Sequence, residues 1–428
     1  MLARSTTSGR STNTTIANAA AAQARERRDE SKKAMSASRP PSTEPSIQRV
    51  SNIELFFDLV FVFTLTQLTG LVVRPHDLSD YLKAILVFMT LMWIYVGYTW
   101  LTSNIAIENL SQRLLLFTSM ASFFVMALSI PDVFGAGGLP YALGLLVVTI
   151  VHAGLFRTAP TTSAQAIRFF APFNVAAALL VLIAAFVRPP WDWLLWGAAV
   201  AVLLISTTLG REAAFQLSPS HFVERNGLLI ILALGESIVD LGIGARGLPI
   251  DNTLVLSAVL TLFLAASVWW TYFGGDESLA ERHFAGAAPS DRARMALIGF
   301  GYAHFIMIAG IILIAAGLEV AITHPIGQLE AADEVGIWNL AAGVALYLSG
   351  DTLYRQVLRI GPGRLRLLIA GLALVTIPLG LIFGTLAQVT AGVLLLQPLW
   401  LVERKENARN RQKHGVGNDD VTQHEHLS

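Results

Sequence analysis

The 428-residue sequence contains no cysteine and few charged side chains for its length. Without cysteine, the chain forms no disulfides, thiolate metal sites or cysteine nucleophiles. Charged residues make up 14% of the chain, whereas soluble domains carry about 25%. Hydrophobic residues make up 54%, so the chain has too few polar side chains to cover a water-exposed surface. This composition indicates an all-α integral membrane protein.

Sequence motifs of enzymes are also scarce. Neither H-E-x-x-H nor G-x-S-x-G occurs in the chain. One match to G-x-G-x-x-G, Gly242–Gly247, ends an apolar run and lacks a surrounding βαβ pattern, so we interpret it as a loop. Lys83 opens an apolar run rather than lying within one, which argues against a retinal Schiff base. We therefore expect no enzyme activity, no cofactor and no metal site.

Two charged tails flank a long apolar region. Residues 1–50 are rich in Ser, Ala and Arg, and residues 403–428 are mostly polar, so we predict two disordered tails, of which the first is basic. Twelve apolar runs of about membrane-spanning length lie between them. They lie near 53–73, 81–101, 112–130, 139–156, 169–187, 191–209, 225–244, 252–273, 294–317, 335–354, 366–385 and 387–402. The last two runs are short, which leaves eleven or thirteen spans as alternatives.

The distribution of basic residues predicts the orientation of these runs. With twelve spans, 26 of the 30 Lys and Arg residues fall on the side of the two tails, and 4 fall on the other side. Basic residues concentrate in cytoplasmic loops. We therefore predict a multi-pass protein of the plasma membrane with both termini in the cytoplasm.

The two halves of the apolar region resemble each other. Trp93–Gly97 in the second run matches Trp270–Gly274 in the eighth, including both the tryptophan and the tyrosine. Six runs in each half would insert both halves in the same orientation. The sequence thus predicts two parallel six-helix repeats, residues 51–210 and 211–402, related by an axis along the membrane normal.

The first run opens with two carboxylates, Glu54 and Asp58, four residues apart on one helix face. At 1.5 Å per residue, Asp58 lies roughly 7 Å beyond the start of the helix, at the cytoplasmic rim. One interpretation is an acidic mouth that attracts cations or protons. The other is a pair of acids stabilised by the helix N-terminus and by an arginine.

The seventh run places Glu236 near the centre of the bilayer, about 18 Å beyond Glu224, with Asp240 on the same face. An ionisable side chain at this depth is costly unless it has a partner or water, so we favour a role in ion or proton transport. His304 in the ninth run lies at a similar depth. It is a candidate partner of Glu236, and equally a packed core histidine.

The remaining polar residues of the runs have structural interpretations. We predict that His152 and Asp351 cap helix ends or pair with Arg157 or Arg355 at the cytoplasmic rim. Side-chain amides within the bilayer commonly join neighbouring helices by hydrogen bonds. We expect this role for Gln67, Asn174 and Gln388.

Two motifs together resemble the bacterial low temperature requirement protein A (LtrA) family, over residues 50–402. The first comprises Glu54, Phe56, Phe57 and Asp58, with Gln67 after it, and the second comprises His221, Glu224 and Arg225, then Gly235, Glu236 and Ser237. The aromatic stretch Trp93–Trp100 fits the same family. The resemblance implies a multi-pass bacterial membrane protein associated with growth at low temperature, without indicating a substrate.

Three functions follow as alternatives. The first is a transporter of an ion or small solute that uses intramembrane carboxylates. The second is a cation channel, since two-repeat potassium channels also begin with an acidic, aromatic helix that Glu54, Phe56 and Asp58 partly match. The third is a membrane scaffold or sensor that acts through the tails. We expect the bilayer and a small solute or ion as partners, and no nucleic acid. Both a monomer and an oligomer are compatible with the sequence.

Overall fold

The computed structural model describes residues 50–75, 77–105, 107, 109–158, 161–210, 218–324 and 331–402. The two predicted tails lie outside these ranges, apart from Val50. Regular structure in the described residues is entirely helical. The helices of the first half are α1 (Asn52–Val73), α2 (Leu78–Thr102), α3 (Leu110–Ser129), α4 (Gly138–Phe156), α5 (Thr161–Ala184) and α6 (Trp191–Leu209).

The second half contains additional short helices. Its helices are α7 (Pro219–Gly244), α8 (Asn252–Phe273), α9 (Asp276–Gly286), α10 (Pro289–Arg294), α11 (Ala303–Thr323), α12 (Ala331–Val357), α13 (Arg364–Val375), α14 (Ile377–Phe383) and α15 (Thr385–Val402). A π-helix, Met295–Tyr302, joins α10 to α11 without a break. The predicted division into two repeats at residue 210 stays a prediction, because residues 211–217 lie outside the described ranges.

Eleven helical stretches in the described residues are long and apolar enough to cross a membrane. This confirms the prediction of an all-α membrane protein. The predicted run near 335–354 forms the 27-residue helix α12, but it does not count among the eleven. It is less apolar than they are, because it carries Asn339, Asp351 and Arg355.

The most extensive contact between two helices in the described residues joins α11 and α12. A Cβ added to Gly310 would lie 2.6 Å from the backbone nitrogen of Tyr347, and one added to Gly343 would lie 2.6 Å from that of Ile314. Small residues let membrane helices approach until their backbones touch, which maximises van der Waals packing. The glycines therefore hold α12 against α11 despite its polar side chains.

Asn339 ties α12 to α1 and α2. Its Nδ2 donates to the Val72 carbonyl at 2.7 Å, and its Oδ1 accepts from the Tyr81 hydroxyl at 2.7 Å. The Asn339→Leu substitution leaves the Val72 carbonyl and the Tyr81 hydroxyl without their hydrogen-bond partner. We therefore expect it to lower the free energy of unfolding by about 1–2 kcal/mol. Denaturant titration of the purified protein measures this loss.

The matched control for Asn339→Leu is Thr118→Val, because the Thr118 hydroxyl is exposed and bonds only to Leu114 of its own helix. Substitutions at such exposed positions usually change stability by less than about 0.5 kcal/mol. Equal losses in the two variants would contradict the role assigned to Asn339.

Candidate functional site

A buried charged cluster joins α1, α2 and α7. We call it the Arg225 network (Glu54, Asp58, Tyr95, Thr102, His221 and Arg225). Arg225 is fully buried, and it donates from Nη2 to Asp58 Oδ1 at 2.7 Å and from Nη1 to Thr102 Oγ1 at 2.6 Å. Its Nη1 also lies 3.4 Å from Glu54 Oε2. The single guanidinium therefore contacts two carboxylates.

Two further side chains complete the Arg225 network. The Tyr95 hydroxyl donates to Asp58 Oδ1 at 3.0 Å, and His221 Nε2 lies 3.0 Å from Glu54 Oε2. Glu54 is set in place locally, because it forms a capping box with Ser51 at the start of α1. Every carboxylate of the network thus has at least one charged or hydroxyl partner.

The structure favours one of the two interpretations of Glu54 and Asp58. Both carboxylates are buried, and the second interpretation, acids held by an arginine, describes their environment. That arginine is Arg225, a residue of the second motif, so the two motifs of the sequence meet in one network. An arginine in this position neutralises acids that would otherwise be too costly to bury.

The other motif residues surround this network. Phe57 stacks on Tyr98 with ring centroids 4.9 Å apart, whereas Phe56 is 50% exposed on the outer face of α1. Ser237 donates to the Ala233 carbonyl of its own helix. Gln67 and Glu224 are half-buried, and Gly235 is exposed. These placements indicate packing roles for Phe57 and Ser237.

A second buried cluster joins α9, α12 and α13. We call it the Arg366 network (Asp276, Asp351, Arg355 and Arg366). Arg355 and Arg366 both pair with Asp276, and Arg366 Nε also donates to Asp351. Its Nη2 donates to the Thr271 carbonyl at 3.0 Å. Asp351 therefore pairs with Arg366, not with Arg355 as the sequence predicted.

Three carboxylates on α7 and α11 form a different arrangement, which we call the acidic cluster (Glu236, Asp240 and Glu319). Glu236 accepts a hydrogen bond from the Thr66 hydroxyl of α1. Asp240 is buried, its Oδ2 has no hydrogen-bond partner in the described residues, and the charges of Glu236 and Glu319 both act on it. A Cβ added to Gly244 would lie 3.2 Å from Glu319 Cγ, which places Glu319 beside the end of α7.

The acidic cluster lacks basic contacts. Every ion pair within 4 Å among the described residues is made by other carboxylates. Arg74, exposed at the end of α1, is the basic residue whose charge acts on Glu319. Within the described part of the chain, no three acidic or histidine side chains are close enough to hold a metal ion. The cluster therefore has excess negative charge.

His304 has hydrogen-bond partners other than Glu236, its candidate partner in the sequence. Its Nε2 lies 3.1 Å from the Tyr272 hydroxyl, and its Nδ1 lies 3.0 Å from the Gly299 carbonyl oxygen. Both ring nitrogens have hydrogen-bond partners, so His304 matches the alternative of a packed core histidine. Glu319 is the member of the acidic cluster that the sequence analysis did not predict. The feature that could have identified it is an isolated carboxylate in the last turns of an otherwise apolar helix.

The Arg225 network and the acidic cluster lie at different depths along the same two helices. Eleven residues separate Arg225 from Glu236 on α7, which corresponds to roughly 16 Å along the helix axis. Arg225 contacts the first turns of α1, and Glu236 contacts Thr66 further along it. The two helices therefore run side by side in the same direction.

Comparison with known proteins gives one family match. The model of the family described as bacterial low temperature requirement A protein (LtrA) matches residues 49–399. An uncharacterized protein of Rhizobium meliloti (strain 1021) is 27% identical over 329 residues, which cover 71% of this chain and 76% of that protein. The family match includes the Arg225 network, the Arg366 network and the acidic cluster.

Proposed function

The chain belongs to the bacterial low temperature requirement A protein (LtrA) family, and we propose that it transports protons or another small cation across the plasma membrane. In this proposal Glu236 alone holds the ion, and Asp240 and Glu319 add negative charge near it. The family association with growth at low temperature would then reflect an ion movement that the cell needs in the cold.

The unbalanced charge of the acidic cluster is the observation that carries this proposal. In each of the two arginine networks, every carboxylate contacts an arginine. These charges therefore stabilise one arrangement of helices. The acidic cluster has no such contact among the described residues. Carboxylates within a membrane domain are costly, and an unneutralised group of them is expected to bind a proton or cation.

The environment of Glu236 suits reversible binding. Its hydrogen-bond partner Thr66 is neutral, and a hydroxyl both donates and accepts hydrogen bonds. Glu236 can therefore gain or lose a proton while it keeps this contact. By contrast, protonation of Asp58 would weaken its ion pair with Arg225, so we assign Asp58 a structural role.

The orientation of the chain sets the direction in which the cluster would open. The excess of Lys and Arg on the side of the tails supports cytoplasmic termini. In that orientation the N-terminal ends of α1 and α7, with the Arg225 network, lie toward the cytoplasm. Glu319 and the end of α7 lie toward the outside, so a cation would reach Glu236 from there and the Arg225 network would close the inner side.

Substitution of Glu236 tests the proposal. In liposomes that contain the purified protein and a pH-sensitive dye, we expect Glu236→Gln to lower proton or cation flux by roughly 100-fold, the scale of losing a positioned proton-transferring side chain. Glutamine keeps the size of the side chain and can still accept from Thr66. The loss would therefore report the missing charge rather than altered packing.

The matched control is Glu281→Gln, which removes the same charge from an exposed position on α9. We expect it to leave flux unchanged. Unchanged flux in folded Glu236→Gln would contradict the proposal. Flux through the unmodified protein that needs no second ion gradient would instead indicate the cation channel.

Deletion of residues 1–45 distinguishes transport from a scaffold or sensor. A transporter should retain most of its flux and its ability to restore growth in the cold, because the acidic cluster lies in the helical bundle. A protein that acts through its tail should lose the growth phenotype while flux is absent in both forms.

A further inference from the structure

A cavity of about 590 Å³ lies between α2, α4, α5, α6, α10, the π-helix and the start of α11. Small-molecule sites commonly have volumes of about 300–1,000 Å³. Six aromatic side chains contribute to its wall, namely Trp93, Trp100, Phe156, Phe170, Tyr302 and Phe305. It shares no residue with the acidic cluster or with either arginine network. The cavity is therefore a separate candidate site, built on the aromatic stretch Trp93–Trp100.

His152 is the unusual polar group of this cavity. The sequence predicts that it caps a helix end or pairs with Arg157 at the rim, but His152 is 2% exposed, and neither ring nitrogen meets hydrogen-bond geometry with a partner in the described residues. The ring packs between Tyr98 and Phe156, with centroids 5.2 Å and 5.0 Å away. A buried polar group without a partner costs about 1–3 kcal/mol, so His152 is suited to receive a hydrogen-bonding ligand.

Asn174 adds a second hydrogen-bond donor to the wall. Its Oδ1 accepts from Trp93 Nε1 at 3.0 Å, which orients the amide and leaves the NH₂ group as its donor. Among the described lining residues none is acidic, and the one charged side chain, Arg294, is exposed. The cavity therefore offers apolar surface and hydrogen-bond donors without a carboxylate among its described lining residues, which favours an apolar molecule with acceptor oxygens.

The π-helix Met295–Tyr302 forms one wall of the cavity through Leu297, Ile298, Gly301 and Tyr302. A Cβ added to Gly301 would meet nothing closer than the Ala296 carbonyl oxygen at 3.7 Å, so the wall is open at that position. π-Helical turns are rare and occur frequently at functional sites. An eight-residue π-helix beside an aromatic cavity supports a binding role for this wall.

We propose that this cavity binds a planar, mostly apolar carbonyl compound of the quinone class. Its ring packs against the aromatic wall, and its carbonyl oxygens accept hydrogen bonds from His152 and Asn174. Flat aromatic walls favour a ring over a flexible acyl chain, because rings stack with defined geometry. The two donors satisfy carbonyl oxygens, which an acyl chain lacks within the membrane.

Binding of ubiquinone-1 to the full-length protein in detergent tests this proposal. Trp93 and Trp100 line the cavity, so we expect saturable quenching of tryptophan fluorescence with one ligand per chain. His152→Leu should weaken binding about tenfold, equivalent to about 1.4 kcal/mol, by removing one hydrogen bond. The same substitution should leave the midpoint of thermal unfolding unchanged or raised, because an unpaired buried polar group is removed.

The control is His324→Leu, an exposed position outside the cavity, which should bind ubiquinone-1 like the unmodified protein. Quenching that does not saturate, or that is identical in His152→Leu, would overturn the proposal. Displacement of ubiquinone-1 by palmitate at equal concentration would also overturn it, since the cavity would then recognise apolar chains rather than a carbonyl ring. Flux through Glu236 plays no part in these measurements.

Discussion

The Arg225→Met variant is expected to lose the folded membrane domain. Methionine fills much of the space of arginine but leaves Glu54 and Asp58 buried without a positive partner. Removing one member of a buried ion pair costs about 3–5 kcal/mol, because the remaining charge stays desolvated. Proteins are stable by only about 5–15 kcal/mol. The loss should therefore appear as aggregation on extraction or as a much lower midpoint of unfolding in detergent.

Lys83→Met is the matched control for Arg225→Met, since it removes an ion pair, with Asp80, that is partly exposed. Exposed pairs contribute at most about 1 kcal/mol. Adding Glu54→Gln and Asp58→Asn to Arg225→Met should restore part of the stability, because no unpaired charge then remains. Equal stability of Arg225→Met and Lys83→Met would show that the Arg225 network does not hold α1 to α7.

The Gly310→Ala variant is expected to separate α11 from α12. The added Cβ would lie 2.6 Å from the Tyr347 nitrogen and 2.8 Å from the Gly343 carbonyl oxygen. These are backbone atoms, which cannot rotate away as a side chain can. The helices must therefore move apart, and overpacking of this kind costs about 1–3 kcal/mol or more. Denaturant titration of the purified variant measures the change in the free energy of unfolding.

Gly70→Ala makes the same chemical change in α1, where an added Cβ meets nothing within 4 Å. Alanine favours helix over glycine by about 1 kcal/mol or less, so this control should be neutral or slightly stabilising. The two substitutions are thus expected to change stability in opposite directions. Stabilisation by Gly310→Ala would contradict the close contact between α11 and α12.

The helical period predicted which side chains share a face of one helix, but not which helix that face contacts. Glu54 and Asp58 were placed on one face of the first run from their spacing alone. Their partner Arg225 lies 167 residues away from Asp58 in sequence. Arg225 becomes a partner of Asp58 because α1 and α7 lie side by side. The hydrophobicity of the helices does not specify which of them are neighbours.

Position along a helix follows from counting residues, but lateral position does not. Counting residues placed Glu236 and His304 at similar depths in the bilayer, and this alone suggested that they meet. The structure instead brings Glu319 to the acidic cluster, and it holds His304 between Tyr272 and Gly299. Rotation of α11 about its axis decides between these outcomes, and it is set by the glycine contacts with α12.

The sequence alone determined that this chain is a helical membrane protein, because lipid satisfies no backbone hydrogen bonds and each span must be an apolar helix of about 20 residues. It also located the carboxylates along their helices and led to the family. Only the tertiary structure decided which of those carboxylates are neutralised. Contacts between helices pair Asp58, Asp276 and Asp351 with arginines. They leave Glu236 beside a neutral hydroxyl, because pairing depends on helix neighbours and rotation rather than on distance along the chain.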